Sequence, residues 1–505
     1  MTPTRSPDAA VAASSAVPDS GGDAAPVRKA GRFSVFVRGR WLLTIPGRIR
    51  THVALTLAAL LALLAVLTVA IGNARDSVQT IGHDAGPQVV ATGALYFALS
   101  DMDAQVASIL LIGRDHGLGI GRDRSLERYE RRRTEAGRAA VQAAQLATHD
   151  PDLRRTVEEV LDGLGRYERL AGEAMLLDRQ AGHPPGEPPA EVVDAYRQAT
   201  DLMKVELLPK AYNITLDTGE KVRRTHETER SAILTGRAWV VVTGALLLAL
   251  LVATQMYLAR TFRRVLNPAL VLATAGTLVL VAVATALLSA QAGHIARAKR
   301  DGFDPILSLS RARAIGHSAF ADESRYLLDP GRADTYEQTY LDKSLSVLYL
   351  DMGTKPLNLA NYHPAVDGTL ARYRPGPGAP PFLGLFGDEA RVSRDGREAA
   401  AFGRTLQAYR TVLANDRRMR ELAARGDRAA ALDLRMGRTS GAIRDFDAYD
   451  AALVALAGVH REAFDEAIAA ANGGLRGWAA VPGAAAAAIA LLIAVGVRPR
   501  LAEFR

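Results

Sequence analysis

The sequence predicts an all-α membrane protein with four transmembrane helices and two extracytoplasmic helical bundles arranged as a tandem repeat. Three observations lead there. Uncharged apolar stretches fall at about 53–72, 238–258, 268–290 and 478–497. Each runs to roughly twenty residues, and at about 1.5 Å of rise per residue such a helix crosses a hydrocarbon core of about 30 Å. The polar segments between them carry apolar residues at three- and four-residue spacing, with no two-residue alternation of the kind a sheet requires. Landmarks of the first half also recur in the second at one constant offset, about 218 residues, close to the spacing of the first and third apolar stretches.

From the N terminus, residues 1–30 are dominated by Ala, Ser, Pro, Asp and Gly and carry no periodic apolar stripe, so a disordered cytoplasmic tail is expected. Residues 31–52 alternate bulky apolar residues with Arg38 and Arg40 and include Trp41, the composition of an interfacial juxtamembrane segment, which Pro46-Gly47 then breaks. The apolar run at 53–72 is full length and follows a long tail, which favours a signal anchor over a cleavable signal peptide. Lys and Arg near a crossing tend to stay cytoplasmic. Arg28, Lys29, Arg48 and Arg50 precede the first crossing, Arg260, Arg263 and Arg264 lie in the loop 259–267, and Arg498, Arg500 and Arg505 follow the fourth in the tail 498–505. All three groups therefore fall inside, giving a multi-pass plasma-membrane protein with cytoplasmic N and C termini. The bundles, 73–236 and 291–476, lie outside.

The net charge of +8 and pI of about 9.7 follow from that topology. The cytoplasmic pieces carry about +10, the first outer segment about −5 and the second about +2, with Arg237 at the membrane edge adding the last +1. The basicity is mainly topogenic, and nucleic acid is not an expected partner. With no cysteine in 505 residues, disulfides, thiol catalysis and cysteine-ligated metals are excluded.

The first outer segment divides into four helices, Val89–Ile112, Leu126–Ala147, Leu153–Leu177 and Val192 to about Ile233, with breaks at Gly113–Gly121, His149-Asp150-Pro151 and His183–Pro189. An antiparallel bundle is the economical packing, its first and last helices continuous with crossings. The second segment begins alike. Asp84-Ala85-Gly86-Pro87 matches Asp301-Gly302-Phe303-Asp304-Pro305 in setting, and Leu110 to Arg114 lines up with Leu328 to Arg332. It differs by an insertion, about 354–396, containing Arg374-Pro375-Gly376-Pro377-Gly378-Ala379-Pro380-Pro381, which reads as a long loop for recognition or merely tolerated at the surface.

Catalytic motifs fail one at a time. Gly316-His317-Ser318-Ala319-Phe320 lacks the second glycine of a nucleophile elbow and lies in a helical pattern. Gly117-Leu118-Gly119-Ile120-Gly121 has no preceding strand and no Lys-Ser/Thr, so it is a helix connector and not a phosphate loop. Asp101 and Asp103 are two apart on a helix and face different ways, as do Asp322 and Glu323. The ten histidines show no metal-ligand spacing. Arg131-Arg132-Arg133 is interleaved with Glu127, Glu130 and Glu135, as on a solvated face. No catalytic, cofactor or metal residue is expected, and the chain is read as a non-enzyme. No ionisable group lies at membrane depth, which disfavours a carrier. Gly244, Gly276 and Gly483 are expected as close-packing points between crossings.

An outer helical head continuous with crossings suits sensing. In this respect the chain is similar to the sensor regions of bacterial chemoreceptors and histidine kinases. With only short inner segments, its signal must pass to another protein. Thr44-Ile45-Pro46-Gly47-Arg48, Leu207-Leu208-Pro209-Lys210-Ala211, Phe382-Leu383-Gly384 through Gly387-Asp388-Glu389 to Gly396-Arg397-Glu398-Ala399-Ala400, Asp416 through Leu422 with Gly426, and Phe446 through Leu453 together resemble signatures of the actinobacterial GlnX-type tetraspanning membrane sensor proteins. That resemblance implies two partners, an external solute-binding lipoprotein of the glutamine/aspartate type and a cytoplasmic serine/threonine protein kinase, and no catalytic residue. Arg48, Arg50, Arg260, Arg263 and Arg264 are the candidate inner docking residues. A homodimer is a further expectation. The competing reading is a structural or cell-envelope scaffold, in which nothing is switched.

Overall fold

A computed structural model describes residues 45–115, 118–146, 150–262, 267–350, 358–376, 378–393, 396–437 and 441–502. The tail 1–30, the juxtamembrane segment up to residue 44, and Arg263 and Arg264 lie outside them. Among the described residues the chain is all-helical, with a single isolated bridge pairing Tyr349 and Leu383. The first half holds α1 (Ile45–Gln79), α2 (Gly86–Ile112), α3 (Arg122–Leu146), α4 (Pro151–Ala181), α5 (Ala190–Leu202) and α6 (Leu208–Phe262). The second holds α7 (Pro268–Arg297), α8 (Asp304–Leu328), α9 (Ala333–Val347), α10 (Leu359–Arg372), α11 (Leu385–Val392), α12 (Gly396–Ala424), α13 (Arg428–Met436), α14 (Ala442–Leu475) and α15 (Val481–Ala502).

The expected helices of the first outer segment form within a few residues of their predicted limits. Asp150 caps α4 by accepting from the Leu153 amide at 3.1 Å, Pro151 takes the first turn, and Gly182, at φ 55°, ends it. These are the breaks the sequence announces. The connector after α2 folds back onto the other half, with the Gly119 amide donating to the Met436 carbonyl at 2.5 Å.

Three helical paths run without interruption between the polar and apolar parts of the molecule: Ile45–Ile112, Ala190–Phe262 and Pro268–Leu328. Each contains one π-helical turn, at Thr80–Ala85, Met203–Leu207 and Ala298–Phe303. A proline follows each turn by two residues: Pro87, Pro209 and Pro305. Proline has no N–H, and its ring clashes with the carbonyl four residues back, so the α ladder cannot continue unchanged. Widening by one residue accommodates it: Leu208 N–H bonds to the Met203 carbonyl and Asp304 N–H to that of Lys299. The Asp301 carbonyl, which Pro305 cannot serve, accepts from His460 Nδ1 at 2.7 Å. The first and third turns lie 218 residues apart, Thr80 against Ala298 and Ala85 against Phe303.

Two cores organise the packing. The apolar parts of α1, α6, α7 and α15 bury Leu63, Leu67, Leu247, Leu280 and Ile489 against one another. The second core lies in the polar region and is shared: Leu99, Val106, Val160 and Tyr196 from the first half join Leu309, Phe320, Phe402 and Tyr449 from the second. The two polar segments, 73–236 and 291–476, thus pack within one chain as one head, with α2 along α8. Among the described residues five helical stretches are long and apolar enough to cross a membrane, one more than the sequence reading counts. The fifth, Val89–Ile112, has its apolar window wholly inside the fold, whereas the windows of the others are 28–39% buried. Its hydrophobicity serves the head.

Four expectations are corrected. The described part of the insertion is not a loose loop but contributes α10, α11 and core residues: Tyr362 donates to the Ser344 and Leu348 carbonyls at 3.0 and 2.7 Å, and Phe386 packs 5.3 Å from Tyr409 and 6.0 Å from Phe402. Of the three small contact points only Gly244 is tight, since a Cβ there would come within 2.4 Å of Val281, while Gly276 and Gly483 have room. The last outer helix does not continue into its apolar stretch. It stops at Leu475, the turn uses Gly477 at φ 81°, and α15 begins at Val481, so Trp478 stands in the turn. Finally, the solvated face assigned to Arg131-Arg132-Arg133 holds for Arg133, which pairs with Glu130 at 3.0 Å, but not for Arg132, whose side chain turns inward.

Phe386→Ala should therefore lower the stability of the head by about 3–5 kcal/mol, read as a drop in the midpoint of chemical or thermal unfolding. A change below about 0.5 kcal/mol would mark the insertion as surface.

Candidate functional site

Along the contact of α2 with α8, charged side chains are buried in two groups. The first centres on His317. Its Nδ1 lies 3.1 Å from Asp101 Oδ1 on α2 and its Nε2 3.0 Å from Asp450 Oδ1 on α14. Both ring nitrogens face carboxylates, so both are best satisfied as donors by an imidazolium. Arg132 on α3 donates to Asp101 at 2.6 Å, and Arg313 on α8 grips Asp450 at 2.5 and 2.7 Å. Both guanidinium groups lie over the Phe97 ring, at 4.5 and 3.8 Å. Burial works against charge on His317, but Asp101 and then Asp450 outweigh it and raise its pKa to about 9. Burial likewise opposes ionisation of Asp101, and His317 and Arg132 nonetheless hold it well below the usual carboxylate range.

The second group lies further along the same contact. Arg325, fully buried, donates to Asp103 of α2, to Asp322 at 2.5 Å and to the Tyr196 hydroxyl at 3.0 Å, while Tyr167 donates to Asp103 at 3.2 Å. Burial opposes its charge, but Asp103, Tyr196 and Asp322 keep Arg325 protonated. Lys343 on α9 also donates to Asp322, Thr339 does so at 3.0 Å, and Lys204, from the π-helical turn of the first half, reaches it at 3.4 Å. On the opposite side of α8, Glu323 faces Arg435 at 3.3 Å, and burial followed by the nearby Asp416 pushes its carboxyl up to about 8.

A cleft of about 450 Å³ lies between the halves, walled by Tyr96 and Tyr212 on one side and by Ser318, Thr339 and Lys343 on the other, with Lys204 between; Asp322 is fully buried behind it, bonded to Thr339, Lys343 and Lys204. Both segments supply polar groups to it, Lys204 and the two tyrosines from the first and Ser318, Thr339 and Lys343 from the second.

Residues 77–227 match an actinobacterial sensor domain. The matched sensor domain runs from the end of α1 to the middle of α6 and supplies Asp101, Asp103, Arg132, Tyr167, Tyr196 and Lys204 to the seam. It carries a sensor role to the chain, and the long apolar helices joined to it make this a membrane protein. No curated protein and no solved structure matches the chain.

Of the inner docking residues inferred from sequence, Arg48, Arg50 and Arg260 are exposed at the end of the apolar bundle away from the head. Stacking of His52 on Tyr257, ring centroids 5.2 Å apart, brings the start of α1 beside the end of α6 and so gathers them. The sequence reading that Asp101 and Asp103, and Asp322 and Glu323, face different ways agrees with the structure. What it missed is that other helices meet each of them with a cation. The signal available was the run of ionisable residues inside apolar helices that ordinarily exclude them.

Two outcomes follow. His317 binds its proton more tightly folded than unfolded, so its stabilisation is complete below about pH 6.5 and lost as pH rises through about 9, on the order of 3 kcal/mol. The unfolding midpoint of the wild type should fall between pH 7 and 10 more steeply than that of His317→Gln. Arg325→Met should cost about 3–5 kcal/mol because Asp103 is left buried without its cation, and adding Asp103→Leu should recover most of that loss in a double-mutant cycle.

Proposed function

We propose that this protein is a non-enzymatic transmembrane sensor that crosses the plasma membrane four times, with both termini and the 259–267 loop in the cytoplasm, and relays the state of its outer head to a separate cytoplasmic partner. The observation that carries this reading is the sensor domain at residues 77–227, joined by unbroken helices to apolar segments. In those segments Leu61, Val242, Leu272 and Leu491 are more than half exposed, as side chains facing lipid would be. The fifth apolar helix belongs to the head because its apolar window is fully enclosed by protein.

The coinciding π-helical turns and the prolines behind them support a duplicated crossing–bundle–crossing unit, the two copies parallel about an axis near the membrane normal. Helices continuous across the boundary transmit displacement, and packed interfaces shift between discrete arrangements. Following the GlnX-type resemblance, the external input is a solute-binding lipoprotein of the glutamine/aspartate type and the inner partner a serine/threonine kinase, docking on Arg48, Arg50, Arg260, Arg263 and Arg264.

The chain has no cysteine, so introduced cysteines report cleanly. Gly376→Cys should react with a membrane-impermeant maleimide in intact cells, and Arg260→Cys only after permeabilisation; the reverse pattern would sink the topology. Affinity capture from membranes, with and without external aspartate or glutamate, should recover a kinase whose yield changes with the solute and falls in an Arg48/Arg50/Arg260/Arg263/Arg264→Gln variant that still reaches the membrane.

A further inference from the structure

The cleft between the halves carries a chemical signature beyond its position. Three cations, Lys204, Lys343 and Arg325, converge on Asp322, and Arg325 also bonds Asp103. Among the residues that line the cleft, the two ammonium groups of Lys204 and Lys343 outnumber the one carboxylate, that of Asp342. Lys204 is the least committed of the three, because its contacts with Asp322 and with the Thr339 hydroxyl are both 3.4 Å, at the limit of a hydrogen bond. An ammonium has three donors, so Lys204 retains donating capacity toward the cleft.

A second observation points the same way. Ser318 lines the cleft and is only 3% exposed, yet its Oγ has no hydrogen-bond partner. Buried hydroxyls are ordinarily satisfied, and one left open beside a surplus of cations is suited to an acceptor from outside. The opposite wall is apolar and aromatic: Tyr96 and Tyr212 lie 5.6 Å apart with tilted rings, and Ile315 completes the face. Asp342 sits at the rim and accepts from Gln338 at 3.4 Å, so its carboxylate marks the side from which an acid would not approach.

We propose that this cleft binds a small organic acid, its carboxylate taken by Lys204, Lys343 and the Ser318 hydroxyl and its apolar body laid on Tyr96 and Tyr212. The inference deepens the sensor reading and rests on it for its biological meaning. The physical link is competition: a carboxylate that engages Lys204 and Lys343 takes donors from Asp322, and Asp322 shares Arg325 with Asp103 of α2. Occupancy thereby alters the ionic contacts that hold α2 against α8.

The test is calorimetric titration of the full chain in lipid nanodiscs, with heats from empty nanodiscs subtracted, using benzoate, benzamide and benzylamine as probes. Benzoate is expected to bind at least tenfold more tightly than benzamide, with benzylamine giving no saturable heat. Lys204→Met should weaken benzoate at least tenfold, and Ser318→Ala, which removes one oxygen and leaves packing intact, several-fold. Equal affinity for benzoate and benzamide would reduce the cleft to an apolar groove and overturn the proposal. So would the absence of saturable benzoate binding, or benzoate binding unchanged in both variants. None of these readouts involves signalling, so the proposal can fail while the maleimide and capture experiments succeed, and the converse.

Discussion

The arrangement depends on burying ionised groups between α2 and α8. Taking a carboxylate or a guanidinium out of water is expensive, and the loss is recovered only where each finds a close partner of opposite sign. Asp101 finds His317 and Arg132, and Asp103 finds Arg325, with Tyr167 and Tyr196 filling remaining positions. An apolar interface can slide by a fraction of a residue at little cost. This one cannot, because a small slip strands several charges at once. The seam consequently admits a small number of well-paired registers, which is the physical condition for a switch with distinct states.

Proline shapes the same region from within. In each of the three continuous paths a widened turn precedes the proline, and these turns lie where the head gives way to the apolar part or where a cleft residue is presented. Met203–Leu207 presents Lys204, and Ala298–Phe303 exposes the Asp301 carbonyl to His460. Close approach is part of the design there: a side chain at Gly302 would meet Phe464 at 2.6 Å.

Much of this was legible in the sequence. Apolar periodicity gave the helices of the first polar segment, Asp150-Pro151 and the break at His183–Pro189 bracketed α4, and hydropathy located the apolar stretches. The prolines were visible too, as Asp84 to Pro87, Asp301 to Pro305 and Leu207 to Ala211, though composition alone does not reveal that a helix will widen instead of break. The insertion was misread because Pro375 to Pro381 dominates its composition, while its structural weight is carried by Tyr362, Phe382 and Phe386, which single residues in a loop-like stretch do not announce. The seam was hidden for another reason. Asp101, His317 and Asp450 lie on three helices far apart in the chain, and their meeting depends on how the two outer segments pack, which periodicity within each segment does not encode.

The break at Gly477 divides mechanical labour among the helices. Three of the four long apolar segments outside the head are continuous with it as helix, the longest path, Ala190–Thr261, being 72 residues or about 108 Å from end to end. Along each of them helix runs without a break from the head into the apolar part. The fourth is joined to α14 by a short non-helical turn, with Arg75 from α1 tethering the Leu475 carbonyl at 3.2 Å. A displacement of α14 is therefore not carried into α15 along a continuous helical ladder, as one is in the other three paths.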